Sequence, residues 1–212
     1  MKQTLCALAL TSLPALAHAE TTVAELNGNQ ELQTLDLKLG GELPAGFNYF
    51  TRTRFTVLEE DEVGAFALAK VMYPLAAGFA VISENQFSPK LFRPGFGMQY
   101  TLKGDNIGFI VQAHANANPQ PHQYTDVSLM SAVQWTPTIA GEQWLVMAEA
   151  TTTLPVVKEG ATPARTIVER ARLGWKPSTQ YSVGAGIDFK QTEIPGMPQT
   201  DYQPLLFGRK DF

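Results

Sequence analysis

Alternation of side-chain type with a period of two is the feature of this sequence that most restricts its fold. In QYSVGAGIDFK, residues 180–190, the apolar residues Tyr181, Val183, Ile187 and Phe189 alternate with glycine or polar residues. Successive side chains of a β-strand point to opposite sides, so this stretch predicts a strand with one apolar and one polar face. The same alternation recurs along the chain, and helical periodicity is hard to find, which predicts an all-β fold.

The pattern predicts about twelve strands in a single domain, residues 20–212. The candidates lie approximately at 21–28, 31–40, 46–58, 63–73, 76–83, 95–103, 106–115, 123–135, 143–153, 165–175, 179–190 and 202–211. The first is inferred from parity, because an even number of strands brings both termini of a barrel to the same side. Ten strands is the alternative if the N-terminal segments do not both join the wall.

Connections between these strands alternate between short and long from residue 73 onward. The short ones are YPLA after Tyr73, KGDN at 103–106, TPTIAGE at 136–142 and KPST at 176–179. The long ones are 84–95, 116–123, 153–164 and 191–201. Membrane barrels of bacteria have short turns on the periplasmic side and longer loops outside. The order therefore predicts an antiparallel up-and-down transmembrane β-barrel.

The first nineteen residues have the pattern of a secretory signal peptide. Lys2 precedes an apolar run over approximately 5–16, and Ala17-His18-Ala19 resembles a cleavage site. The run is shorter than the ~20 apolar residues that a spanning helix needs. We expect cleavage near Ala19, which would also remove Cys6.

Composition excludes several classes of function for the chain after cleavage. Losing Lys2 leaves 15 Lys and Arg against 20 Asp and Glu, so the net charge changes from −4 to −5. Without a strong basic field we expect no nucleic-acid partner. With no cysteine left, a disulfide scaffold and a thiolate metal site are excluded. No later apolar run is long enough for a spanning helix, so insertion into a membrane would use strands.

Large aromatic residues cluster where the strands enter the short turns. The set is Tyr73, Tyr100, Trp135, Trp144, Trp175 and Tyr181. Amphipathic rings favour the headgroup level of a bilayer, so we interpret the set as an interface belt. Alternatively, these rings would cap the core of a soluble sandwich.

Charged residues recur on the polar face of the strands and are predicted to face the lumen, the space inside the barrel. They are Arg52, Arg54, Lys70, Glu149, Asp188 and Lys190. On that assignment Gly186 also faces the lumen, where a larger side chain is tolerated unless the lumen is tightly packed. Two segments do not fit the alternation: 76–83 is apolar on both faces, and TIVERARLGW places Glu169 out of phase with Arg170.

The chain ends in Phe212, and here it resembles bacterial outer-membrane β-barrel proteins, whose last strand typically ends in Phe as part of an assembly signal. The resemblance concerns an architectural class and covers nearly the whole mature chain. It implies residence in the outer membrane of a Gram-negative bacterium, contact with its lipids, and recognition by the barrel-assembly machinery. The sequence departs from the pattern of that signal at Gly208 and Lys210.

No nucleophile elbow, phosphate loop or metal-ligand run is present, so we assign no catalytic, cofactor or metal residue. His114 and His122 flank ANANPQP and are interpreted as hydrated loop histidines. The predicted function is a passive channel, small-solute transporter or structural barrel with a polar lumen. The alternatives are a secreted soluble β-sandwich or lipocalin-like binding protein, and an outer-membrane lipid-modifying hydrolase that uses a Ser and one of these histidines.

Overall fold

The structure is a computed structural model that describes residues 21–28, 32–58, 63–88, 91–117, 125–156, 165–194 and 197–212. The predicted signal peptide and His122 lie outside these ranges. The strands within them are β1 (Thr21–Gly28), β2 (Leu32–Leu43), β3 (Phe47–Leu58), β4 (Val63–Pro74), β5 (Phe79–Ser88), β6 (Leu91–Lys103), β7 (Ile107–Asn116), β8 (Thr125–Trp135), β9 (Thr138–Ile139), β10 (Glu142–Val156), β11 (Arg165–Lys176), β12 (Tyr181–Ile194) and β13 (Met197–Asp211).

The sheet closes on itself, because the last strand pairs with the first. The pairing of β13 with β1 is antiparallel and runs from Val23↔Asp211 to Gly28↔Leu206. Every other wall strand pairs antiparallel with its neighbours in chain order, and the two-residue β9 pairs only with β10. Across the described ranges the wall therefore has twelve strands. This confirms the predicted antiparallel barrel, and the ten-strand alternative is wrong.

The described turns lie at one edge of the barrel and are short, as predicted. Three of them contain an Ala-Gly pair in which both residues have positive φ: 45–46, 77–78 and 140–141. Two consecutive positive φ values are typical of the turns whose twist matches that of a β-hairpin, and glycine adopts them at little cost. In the first of these turns, a 3-10 helix at Pro44–Gly46 joins β2 to β3. The repeated Ala-Gly pair was a hairpin signal that the sequence analysis did not use.

Two of the predicted long connections are wrong. Segment 84–95 is mostly strand, since β5 continues to Ser88 and β6 begins at Leu91. Segment 191–201 likewise belongs to β12 and β13, apart from residues 195–196, which lie outside the described ranges. Proline has no N–H to donate and is uncommon inside strands, yet Pro94 stands within β6, opposite Asn85. Most of the predicted loops 116–123 and 153–164 lies outside the described residues.

Apolar and polar side chains are distributed between the two faces of the wall in the reverse of the way found in a soluble protein. Large apolar side chains such as Phe96 and Leu206 are exposed on the outer face, whereas Asp36, Glu84 and Gln112 are buried inside. This arrangement is typical of a barrel whose outer face meets lipid. No helix among the described residues is long and apolar enough to cross a membrane.

The outer face should tolerate charge much less than the inner face does. Ala185 is exposed on the outer face of β12, while Ala132 on β8 lines the lumen cavity. Placing Arg against lipid near the midplane costs roughly 2–4 kcal/mol, whereas lumen substitutions mainly change selectivity. We expect Ala185→Arg to lower the free energy of unfolding by this amount and Ala132→Arg to lower it much less. Urea unfolding in lipid vesicles measures both, and equal losses would contradict the assignment of the faces.

Candidate functional site: the barrel interior

The lumen contains a chamber of ≈ 1000 Å³ next to the short-turn edge of the barrel. Strands from all around the wall contribute to its lining, and residues of the short turns at 75–78 and 104–106 border it. Its charged lining includes Arg52, Arg54 and Glu149. A solute in this chamber would contact charged side chains.

Two arginines on β3 share one carboxylate on β2. The Asp36 side chain is fully buried, and its Oδ2 lies 2.5 Å from Arg52 Nη2 and 2.7 Å from Arg54 Nη2. Arg52 Nε also donates to Asp36 Oδ1, which makes this pair bidentate. Lys38 lies beside them on β2, with its Nζ 3.5 Å from Glu25 Oε2. Asp36 and Glu25 are therefore each paired with a base on this wall.

A second ion-pair network occupies β10, β11 and β12. Arg170 Nη1 donates to Glu149 Oε1 at 3.0 Å, and Arg170 Nε lies 3.5 Å from Asp188 Oδ2. Arg172 Nη2 lies 2.6 Å from Asp188 Oδ1. The phase conflict in this segment is resolved because Arg170 and Arg172 point inward, whereas Glu169 is exposed on the outer face.

Gly186 provides the space in which Arg172 lies. A Cβ at position 186 would come within 2.4 Å of Arg172 Cδ and 2.5 Å of the Ala171 carbonyl oxygen. The exception stated for Gly186 therefore applies: Arg172 already lies against this glycine, and the lumen is too tightly packed here for a larger side chain. Inward-facing glycines here let long basic side chains lie flat along the wall.

A third polar cluster lies on β4, β5 and β7. Lys70 Nζ is 3.3 Å from Glu84 Oε2 and donates to Gln112. Gln112 Nε2 lies 2.8 Å from His114 Nδ1, and His114 Nε2 lies 3.6 Å from Glu84 Oε1. The prediction that His114 is a hydrated loop residue is wrong, because β7 extends to Asn116 and buries this ring inside the barrel.

Arg209 reaches across the lumen from the last strand. Its Nη1 donates to Gln134 Oε1 on β8 at 3.2 Å and lies 3.0 Å from Met147 Sδ on β10. Its Nε donates to Asp211 Oδ1 at 2.7 Å. Since β13 is not adjacent to β8 or β10 in the sheet, these contacts cross the interior.

Five of the six predicted lumen residues take part in the clusters above. The sixth, Lys190, is exposed near the far end of β12 and forms no ion pair with any described residue. Whether the six line a path for solute stays a prediction.

The sequence analysis missed Asp36 and Arg209, although the same alternation was available for both. Asp36 is in phase with Lys38 in LDLKL, and Arg209 is in phase with Phe207.

The predicted aromatic belt lies near the short-turn edge of the wall. Tyr73, Trp135, Trp175 and Tyr181 are exposed there, while Tyr100 and Trp144 are half-buried. Trp175 Nε1 donates to Glu142 at 3.0 Å. Contact of these rings with lipid headgroups stays a prediction.

Aromatic pairs toward the opposite edge were not predicted. The Phe87 and Phe92 rings stack with centroids 5.0 Å apart, and the Phe189 and Tyr202 centroids are 4.9 Å apart. The two rings of each pair lie on neighbouring strands. Their contact depends on the register between the strands, which the sequence alone does not provide. At the short-turn edge, Lys210 Nζ lies 4.2 Å from the centroid of the Phe212 ring.

Candidate metal ligands do not cluster in the described part of the chain: no group of three or more His, Cys, Asp or Glu side chains there could hold a metal ion. The acids in the lumen contact basic or amide side chains instead, as Asp36 and Glu84 do.

Known proteins resemble this chain in structure only. No family model matches the sequence, and no curated protein does. A NanC porin structure is 10% identical, with a TM-score of 0.58 over 90% of this chain and 98% of that one. A KdgM porin in complex with disordered oligogalacturonate is 9% identical, with a TM-score of 0.53 over 91% and 99%. An outer membrane channel from Pseudomonas putida F1 is 10% identical, with a TM-score of 0.51 over 92% and 96%.

Fold and comparisons together define the architectural class. A closed twelve-strand antiparallel wall with an apolar outside and a polar inside is the fold of bacterial outer-membrane β-barrel proteins, among them the porins named above. Because only about one residue in ten is identical, the similarity to these proteins shows a shared fold and nothing further.

Loss of the buried Asp36 carboxylate should destabilise the barrel strongly. In Asp36→Asn, two arginines would lose their shared counter-charge, and breaking a buried ion pair by removing one partner costs about 3–5 kcal/mol. Asp188→Asn is the matched control, because Asp188 is partly exposed and Arg170 keeps Glu149. Urea unfolding followed by tryptophan fluorescence should show the larger loss for Asp36→Asn. The reverse order would contradict the proposed importance of the β2–β3 cluster.

Proposed function

We propose that this chain is an outer-membrane barrel that serves as a passive channel for small polar solutes. The observation that carries the proposal is the chamber inside the wall, whose lining is rich in charged and amide side chains. A barrel with only a structural role would gain at least as much stability from a filled apolar interior, since replacing buried ion pairs by well-packed apolar side chains is often neutral or stabilising.

Placement in the outer membrane is part of the same proposal. It is supported by the exposed apolar outer face, by the fold shared with outer-membrane porins, and by the signal-peptide pattern at 1–19. Phe212 and the last strand would be recognised by the assembly machinery. The alternative of a soluble sandwich is not favoured, because the apolar face points outward and the sheet is closed.

A lipid-modifying hydrolase is the less favoured function. Such an enzyme needs a nucleophile and a base that lipid can reach. His114 instead lies inside the wall, in contact with Gln112 and Glu84. The nearby Ser128 hydroxyl interacts with Asn116, Asp126 and Thr153. Nothing in this geometry presents a serine to a substrate in the membrane.

Planar-bilayer recording tests the proposed channel directly. Purified, folded protein should give discrete conductance steps in potassium chloride. A barrel that stays folded, as shown by heat-modifiable migration on a gel, but conducts no current would overturn the proposal.

Arg209 should limit the current, because its side chain crosses the lumen to β8 and β10. Shortening it in Arg209→Ala should widen the path and raise the single-channel conductance. Lys210→Ala is the matched control, since the Lys210 side chain lies over the Tyr181 and Phe212 rings. An unchanged conductance in Arg209→Ala would show that the narrowest point lies elsewhere.

A further inference from the structure

Basic side chains line one half of the chamber. They belong to β2, β3, β11 and β13, which lie in the continuous arc from β11 through β12, β13 and β1 to β3 of the closed sheet. Among the described residues, strands β4 to β8 contribute no carboxylate to the lining and present amides such as Gln99 and Gln134. The bases of the first arc that line the chamber are Lys38, Arg52, Arg54, Arg170, Arg172 and Arg209.

Carboxylates are fewer than bases on the inner surface of this chamber. Away from the rim, the acids that line it in the described part of the chain are Glu25 and Glu149. The Glu25 side chain is 6% exposed and contacts Lys38 and Asn27. Three acids that pair with the arginines do not line the chamber: Asp36, Asp188 and Asp211. A solute inside therefore contacts more cationic than anionic groups.

Two acids and one base form the charged part of the rim. Glu42, Asp105 and Lys103 line the chamber at the short-turn edge, and all three are exposed. Water and salt screen exposed charges more strongly than partly buried ones. The bases inside the wall therefore have more influence on a solute in the chamber than the rim has.

The accessibility of the pairs differs between the two ends of the basic arc. On β3, the Arg52 and Arg54 side chains are 17% and 25% exposed, whereas their partner Asp36 is 0% exposed. On β11, Glu149 stays accessible beside Arg170. The β3 end therefore presents guanidinium groups alone, and the β11 end presents a guanidinium next to a carboxylate.

Bases from different strands approach one another across the interior. Arg54 on β3 and Arg170 on β11 are close enough for their charges to repel, and so are Lys38 on β2 and Arg209 on β13. An anion placed between two cations relieves such repulsion. A guanidinium group also offers paired N–H donors that match the two oxygens of a carboxylate. The arrangement therefore suits a carboxylate better than a cation or a neutral molecule.

From this geometry we infer that the chamber selects small organic anions, molecules with one or two carboxylate groups. The inference rests on the proposed channel function and names its class of solute. A carboxylate in the chamber would accept hydrogen bonds from Arg54 and from the bases that face it across the interior. A cation is repelled by the same groups, and a neutral molecule gains no Coulomb attraction.

Zero-current potentials across a planar bilayer test the sign of the selectivity. With the full mature chain in a tenfold gradient of potassium chloride, we expect chloride to be roughly three- to tenfold more permeable than potassium. Equal permeabilities, or a preference for potassium, would overturn the inference and leave the channel function intact. A folded chain that conducts no current would contradict the proposed function, and the inference with it.

Variants of the basic arc identify the source of the preference. Arg54→Gln leaves Arg52 on Asp36, and Arg209→Gln leaves Lys176 on Asp211, so neither acid loses its last base. Each should lower the chloride-to-potassium permeability ratio by roughly twofold, whereas Arg54→Lys, which keeps the charge, should preserve it.

Lys210→Gln is the matched control, because it removes one positive charge from a side chain that lies over aromatic rings and does not line the chamber. Folding of every variant is checked by heat-modifiable migration. A ratio that is unchanged in Arg54→Gln and Arg209→Gln, or that falls equally in Lys210→Gln, would show that the chamber bases do not set the selectivity.

Competition between solutes tests the preference for carboxylates. Succinate and succinamide have the same carbon skeleton, but succinate carries two carboxylates at neutral pH and succinamide two uncharged amides. Added to potassium chloride at equal concentration, succinate should reduce the single-channel current because it competes with chloride for the guanidinium groups, and succinamide should not. The reduction should weaken in Arg54→Gln and persist in Lys210→Gln. Equal effects of the two solutes on the unmodified chain would overturn the inference.

Discussion

Pairing of β13 with β1 is the interaction on which the rest of the structure depends. Every backbone N–H and C=O group of a strand in lipid needs a partner, because no water is present to replace it. An open twelve-strand sheet would leave two edges unpaired, and the register from Val23↔Asp211 to Gly28↔Leu206 removes both of them. Closure also creates an inside, and the chamber, the ion pairs and the proposed selectivity all follow from it.

Closure reverses the usual distribution of side chains and places polar groups in a confined space. Such groups are stable there only when they are paired, and the lumen accordingly holds three clusters of paired polar side chains. Glycine is the second requirement, because long side chains need room along the wall. A Cβ at Gly97 would come within 2.6 Å of the His114 Cβ, just as one at Gly186 would meet Arg172. At these two places a glycine on one strand provides the room for a long polar side chain on its neighbour.

The sequence alone could predict the architecture because alternation is a local property. Each strand carries its own pattern, and parity plus the order of short turns was enough to obtain a closed twelve-strand barrel. The ion-pair partners could not be predicted in this way, because they depend on register between strands. Asp36 is 16 residues from Arg52 and 18 from Arg54, and only the pairing of β2 with β3 brings them together. The predicted loop at 84–95 is wrong, because Pro94 stands inside a paired strand there.

Disulfide cross-linking across the β1–β13 seam tests closure most directly. Paired residues of antiparallel strands have Cα atoms about 4.5–5.5 Å apart, within the range of a disulfide, and the chain's single cysteine lies in the predicted signal peptide. Leu26→Cys combined with Gly208→Cys should cross-link upon mild oxidation in isolated outer membranes. Leu26→Cys with Leu35→Cys, a pair within the β1–β2 hairpin, serves as the control. Cross-linking of the control pair without cross-linking of the seam pair would contradict the closed barrel.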